Sequence, residues 1–319
     1  METLTQTRRM LEVLLLRGTV VAVLCFLPGC QSLLQSEEPV LAPLPVKVRF
    51  LLTFDDGPSI RAEANPTLSI LEQLAANDVQ PGIKAIFFVQ TRNTNGGGTE
   101  AGKAIMRRTH DAGHVLGLHS ASPRGHVGHI RMSSDELNQS LQDGIADIRN
   151  ITGHDPELVR PPFWAFTPQT QSLYAANRLN MLLSDVKAND GVIHLFNISF
   201  RRRSHIHSEL NAVRAAIERN ELERAGCCVP VVVTFHDVNT FTASHFSEYL
   251  HILMEEAVKV GLLPADKPFY DATVDIGRMA MRRAQPPSMK ARHTPSPVAT
   301  RTSGPELDEQ VLSRVAKQE

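Results

Sequence analysis

The sharpest chemical signal in the chain is Thr53-Phe54-Asp55-Asp56-Gly57-Pro58, two neighbouring carboxylates followed by two turn residues. Successive side chains of a strand point to opposite faces. Both acids can therefore serve one site only where the strand breaks, and Gly57-Pro58 supplies the break. One carboxylate can then hold a metal while its neighbour acts as a base. Alone, Asp-Gly-Pro is most often a plain turn. Three other groups share its setting: His119-Ser120 follows the run 114–118, Arg160-Pro161-Pro162-Phe163 follows Leu158, and His236-Asp237 ends the run 229–235. Each by itself reads as a capping histidine, a rigid turn or a core imidazole. Together they put acids, imidazoles and an arginine at the C-terminal ends of several strands, where the βα-loops of barrel enzymes build their sites.

The elements that must position these groups are short apolar strands alternating with helices. Residues 46–53 read as the first strand, and Asn65 caps a helix that has Pro66 at its first position. Strands at 85–89 and 114–118 flank a helix over about 99–110, and Ser133-Ser134-Asp135-Glu136 offers a capping box for a helix through Arg149. Residues 158–160, 181–184 and 229–235 read as further strands, with helices at about 168–177, 208–224 and 244–260. Such alternation predicts an α/β fold with a parallel sheet, open or closed into a barrel.

In order and spacing these motifs resemble the polysaccharide deacetylases of carbohydrate esterase family 4, the NodB-like group that includes chitin and peptidoglycan deacetylases. The resemblance runs over residues 46–276. Thr53 to Pro58 matches the first motif, Gly113-His114 with His119-Ser120 the approach to the second, and Arg160 to Phe163 the third. Asp185 falls where the fourth motif's acid is expected, and Thr234-Phe235-His236 where the fifth is. The resemblance implies a distorted (β/α) TIM-like barrel of the polysaccharide deacetylase type and a divalent metal held by one Asp and two His. By position, Asp56 and His119 are ligands and Asp55 is the general base, with Arg160 orienting it. The backbone N–H of Phe163 then helps to hold the oxyanion, and His236 protonates the leaving amine with Asp185 beside it.

Amide hydrolysis needs those roles: an activated water, a stabilised oxyanion and an acid for the departing nitrogen. A metal with open positions supplies the first and part of the second. A histidine at its ordinary pKa, ~6.5, is mostly neutral at pH 7, and a nearby carboxylate keeps such an acid loaded. Zinc suits an Asp-His-His set, with cobalt or nickel as alternatives.

The chain departs from the family pattern in four places. Position 123, where the second histidine falls, is Pro123. Counting back from the cap at Ser133 puts the missing ligand at His126, with His129 as its rival. On a regular helix the seven positions from His119 would span ~10 Å, so residues 121–125 must loop out to return His126. Asp185 is followed by Lys187-Ala188-Asn189-Asp190 without a tryptophan, which leaves Asp190 as an alternative acid. Thr234 stands where a leucine usually lines the acetyl pocket, and Trp164, the only tryptophan, where glycine is usual; both bear on substrate identity. The stretch with His194, Arg201-Arg202-Arg203, His205 and His207 reads as a solvated loop.

The ends of the chain read differently from its middle. Residues 1–30 combine Arg8, Arg9 and Arg17 with an apolar run at 19–27 and Leu27-Pro28-Gly29-Cys30, which resembles a bacterial lipoprotein signal with Cys30 acylated. A simple cleaved signal or a short anchor is the plainer alternative. Residues 31–45 are expected to be a tether, 46–276 the catalytic domain, and 277–319 a disordered basic tail, since 281–304 carry five basic residues, four prolines and no acid. Cys227-Cys228 is expected to be a buried apolar pair opening a strand. The formal net charge of -1 gives no basic excess to draw nucleic acid. The expectation is an exported, membrane-anchored lipoprotein facing the periplasm or cell exterior. It would remove N-acetyl groups from a polysaccharide of the cell envelope or extracellular matrix. The competing readings are a hydrolase of non-sugar amides or O-acetyl esters with the same site, and a tethered binding protein whose catalytic machinery has decayed.

Overall fold

Along β1 (Lys47–Asp55) the side chains of Val48, Phe50, Leu52 and Phe54 alternate with those of Leu51, Thr53 and Asp55, and this alternation decides what each sheet face meets. The first set lies in the larger apolar core with Phe87, Leu118, Val233 and the packed helices. Leu51 joins a second, smaller core with Phe88, Val232 and the last helix. The computed structural model describes residues 41–191 and 201–285. Its other strands are β2 (Ile86–Gln90), β3 (Val115–Ser120), β4 (Leu158–Val159), β5 (Asn180–Met181), β6 (Val186–Lys187), β7 (Cys228–His236) and β8 (Leu263–Phe269).

The sheet runs β5-β4-β3-β2-β1-β7-β6, with β8 beside β1, and its pairings are parallel. Strand β7 pairs with β1 along its whole length, whereas the other edge of β1 is shared by β8 at Lys47–Phe50 and β2 at Thr53–Asp55. The order has two ends, so the strands form a half-barrel, which is the form taken by the distorted (β/α) barrel expected above. Parallel strands gather all the strand-to-helix turns at one end of the sheet, and Asp55, His119 and His236 sit there.

The helices are α1 (Pro66–Ala75), α2 (Glu100–Asp111), α3 (Ser134–Thr152), α4 (Pro168–Ala176), α5 (Arg202–Glu218), α6 (Thr240–Lys259) and α7 (Thr273–Arg283). Local chemistry fixes their starts. Asn65 accepts from Leu68 N ahead of Pro66, and Ser133 and Glu136 form a reciprocal capping box; each cap contributes about 1 kcal/mol. His114, in the approach to the second motif, accepts a hydrogen bond from Ala85 N at 3.1 Å. Burial pushes its pKa down to about 3, so it is a neutral structural group. Among the described residues no helix is long and apolar enough to cross a membrane.

Several elements differ from the sequence reading. Strand β6 has two residues, too few for a periodic signal, and β8 mixes exposed and buried positions. Helix α5 starts at Arg202, six residues before the expected start, so Arg202, Arg203, His205 and His207 are helical rather than a solvated loop. Arg203 Nη1 and His207 Nδ1 meet the buried Glu256 at 2.6 and 2.9 Å, which explains why this polar stretch folds down. Helix α7 crosses the boundary expected at 276/277 and ends at Arg283. Cys228 is buried at the start of β7, but Cys227 is exposed in the preceding turn. Cys30, His194 and the signal, most of the tether and the tail beyond 285 lie outside the described residues.

Candidate active site

Asp55 ends β1 on the same face as Leu51 and Thr53. Asp56 has φ 76, a left-handed conformation costing a non-glycine residue about 1–3 kcal/mol. That turn lets consecutive carboxylates serve one site. Gly57 is required by a close approach: a Cβ there would lie 2.1 Å from Asp237 Oδ2. Asp237 in turn accepts from Thr67 Oγ1 at 2.8 Å. Burial, aided by the charge of Asp56, pushes its acid up to about 7 against the Thr67 hydrogen bond.

The Oδ1 of Asp56 accepts from Gln90 Nε2 at 2.9 Å and lies 3.3 Å from His119 Nε2 and 3.5 Å from His126 Nε2. Val89 pairs with Leu118 but Gln90 with Ser120, so His119 is the extra residue of a bulge. Bulges re-aim side chains in this way. His119 Nδ1 donates to Arg160 O at 2.8 Å, which leaves Nε2 as the lone-pair nitrogen facing Asp56. Residues 121–125 loop out: Gly125 (φ 79) closes a turn on Ser122 O, and Ser120 Oγ holds Gly125 O. The imidazole of His126 returns to stack 5.1 Å from that of His119.

The ligand atoms of Asp56, His119 and His126 all lie within 4.8 Å of one another. One carboxylate oxygen and two imidazole nitrogens, one of them fixed in tautomer by a carbonyl, form a donor set that fits a divalent cation. Burial lowers the pKa of His126, which favours the neutral form a ligand needs. His129 is not brought to this cluster. It is fully buried, its Nδ1 is 2.7 Å from the Tyr174 hydroxyl, and burial pushes its pKa down to about 3.

Behind Asp55 sits the fully buried Arg160. Its Nη1 donates to Asp55 Oδ1 at 2.8 Å and Thr53 Oγ1 at 2.7 Å, and its Nε to Leu182 O at 2.9 Å. The guanidinium lies over the Phe88 ring at 4.2 Å and 5.2 Å from the Trp164 ring. Thr234 is buried among hydroxyls, its Oγ1 2.9 Å from those of both Thr53 and Ser184. Phe163 and Trp164 have φ of 59° and 61°. Phe163 is 55% exposed and stacks 4.2 Å from His126. Trp164 faces Lys187 Nζ at 4.8 Å.

His236 ends β7, with Nε2 4.0 Å from Asp56 Oδ2. Its Nδ1 donates to Asp190 Oδ1 at 2.7 Å, and its backbone N to Asp190 Oδ2 at 2.8 Å. Burial opposes a charge on this ring, but the Asp190 carboxylate prevails and the pKa is pushed up to about 10. Asp185, expected beside His236, lies elsewhere. Its carboxylate accepts from Val232 N at 2.7 Å and Arg283 Nη2 at 2.6 Å.

The model of the polysaccharide deacetylase family matches residues 45–182. The matched stretch covers less than half of the chain. Among solved structures, the chain is similar to a chitin deacetylase from the fungal pathogen Colletotrichum lindemuthianum, at 20% identity and a TM-score of 0.50, covering 72% of this chain and 94% of that one. A cobalt-bound family 4 acetyl xylan esterase from Clostridium thermocellum matches at 23% identity and TM-score 0.48, covering 72% and 90% of the two chains. A family 4 pseudoenzyme from Bacillus anthracis matches at 20% and 0.46, covering 70% and 66%. At these identities the likeness speaks for the fold alone, and the chitin deacetylase carries it. No curated protein matches the chain significantly in sequence.

One polar partner of the candidate site, Gln90, goes unread in the sequence, and a second, Asp190, is read only as an alternative. Gln90 closes β2 and orients Asp56; a polar residue ending an apolar strand is its only signal. Asp190, noted as an alternative to Asp185, is bound by His236, Thr242 Oγ1 and Asn239 Nδ2.

Proposed function

We propose that the chain is a metal-dependent hydrolase that removes N-acetyl groups from an N-acetylated polysaccharide of the cell envelope or extracellular matrix. The observation that carries this reading is the convergence of Asp56, His119 and His126 on one point, with Asp55 and His236 contributed by neighbouring strands. Asp56, His119 and His126 would hold the cation, Zn2+ by donor type with Co2+ or Ni2+ as alternatives. Bound there, a divalent cation polarises a water and an acyl oxygen. Asp55, aimed by Arg160, takes the proton of the attacking water. His236 carries a proton at neutral pH and delivers it from Nε2 to the departing nitrogen, because Nδ1 is engaged by Asp190. The backbone N–H of Phe163 completes the oxyanion contacts in this reading.

Acetate release from N-acetylated glycans, O-acetylated esters and simple amides, measured on one protein sample, tests the substrate class. Turnover of the glycans above the other two supports the proposal, and turnover of esters alone overturns it. The reading extends to location: an acylated Cys30 would anchor the enzyme on a membrane, with two or more chains needed for stable attachment. Cys30→Ser should release the protein from the membrane fraction or stop its maturation. Unchanged processing and fractionation would refute the anchor.

A further inference from the structure

Behind the Asp55–Arg160 pair lie two charged groups that the reaction described above does not use. Asp185 accepts from Val232 N and from Arg283 Nη2, and Arg283 is the last residue of α7. Two residues further on, Gln285 N donates to Met181 O at 2.9 Å, so the chain leaving α7 runs alongside the segment from Met181 to Asp185. That same segment holds Arg160. Leu182 O accepts from Arg160 Nε, and Ser184 Oγ meets Thr234, whose hydroxyl is 2.9 Å from Thr53, the second acceptor of Arg160 Nη1.

The packing leads to the same place. Ile276, Ala280 and Ala284 share the smaller core with Leu51, Phe88 and Leu182. Phe88 is the ring on which the Arg160 guanidinium lies. The residues whose carbonyl and ring fix Arg160, Leu182 and Phe88, thus share one apolar core with α7. Burial opposes the charge of Arg160, and Asp55 and Asp185 are the carboxylates that favour it. Four charges of alternating sign run inward from α7: Arg283, Asp185, Arg160 and Asp55. Buried ion pairs seldom add net stability over apolar packing of the same volume, so stability alone gives a weak reason for the outer pair.

We infer that Arg283 is a positioning residue for the reaction: by locking Asp185 and its segment it holds Arg160, and through Arg160 the base Asp55. The inference rests on the deacetylase reading, and it makes α7 part of the catalytic apparatus although the helix lies beyond the stretch matched by the family model.

The test uses the whole chain and the variants Arg283→Met, Arg283→Lys, Asp185→Asn and the Arg283→Met/Asp185→Asn double variant. Steady-state acetate release, bound metal and melting temperature are measured on each. Arg283→Met should lower kcat roughly ten- to a hundredfold, the scale expected of a small misplacement of a catalytic group. KM and metal content should stay within about twofold, because Arg283 touches neither substrate nor metal. Arg283→Lys should recover most of kcat. The double variant should lose little more than either single one, since the two residues act as a unit. If Arg283→Met does not fold, Asp185→Asn, which keeps the shape, is the variant compared with wild type. Turnover near wild type in the folded variants, additive losses, or no rescue by lysine would overturn the inference alone. A metal-loaded wild type that releases no acetate from any probe would overturn the deacetylase reading and the inference with it.

Discussion

Replacing Asp190 with asparagine keeps the size of the side chain but removes the charge that holds the His236 proton. In the wild type the pKa of His236 is pushed up to about 10, with burial acting against that rise and Asp190 the leading contributor to it. At pH 8 such a group is protonated in about 99% of molecules. Without Asp190 the burial remains, so the value falls to the ordinary ~6.5 or below, and at most ~3% of molecules carry the proton at pH 8. The loss in kcat/KM at pH 8 should therefore be about thirtyfold or more. A cation on Asp56 cancels that carboxylate's share of the rise, so the wild-type alkaline limb lies at or below about 10. The direction is fixed: His236 is an acid, so activity falls as pH rises through its pKa, and Asp190→Asn moves that fall to lower pH. Acetate release measured from about pH 5 to about pH 11 on both proteins reads the shift. An unmoved alkaline limb in the variant would refute Asp190 as the group that loads the acid.

Three more outcomes follow from the geometry. Arg160→Met leaves the Asp55 carboxylate buried without its partner and should lower unfolding free energy by about 3–5 kcal/mol; a denaturant series showing a loss under about 1 kcal/mol contradicts the buried-pair assignment. Gly57→Ala forces a Cβ onto the Asp237 carboxylate and should cost about 1–3 kcal/mol by overpacking, read as a lower melting temperature together with weaker metal binding. His129→Ala should destabilise by about 1–3 kcal/mol by leaving the Tyr174 hydroxyl without its imidazole partner, yet retain bound metal, whereas His126→Ala should lose it. The opposite pattern in a metal analysis would make His129 the ligand.

How much was legible in the sequence depended on the length of the signal. Helices α1 and α3 announce their starts through Asn65-Pro66 and the Ser133–Glu136 box, because capping is local chemistry. Long apolar strands such as β7 are equally plain. Strand β6 is not, since two residues carry no period. The start of helix α5 is hidden because Arg202, Arg203 and His207 look solvated until Glu256 of α6 is known to face them. At the site, residues borne on motifs were readable and their partners were not. The choice between Asp185 and Asp190 turns on which of two acids five residues apart faces His236, and only the fold decides it: Asp190 meets His236 while Asp185 turns to Arg283. The return of His126 to His119 depends on Gly125 at φ 79 closing a loop, a backbone conformation that the sequence permits without dictating.

Removing metal from the whole chain with a chelator, and following bound metal and acetate release on the same samples, tests the proposed metal-dependent hydrolysis most directly. About one divalent ion per chain, held by Asp56, His119 and His126, is expected before treatment. Turnover should vanish as the ion is removed and return when Zn2+, Co2+ or Ni2+ is added back. Undiminished acetate release by metal-free protein would contradict that dependence on metal.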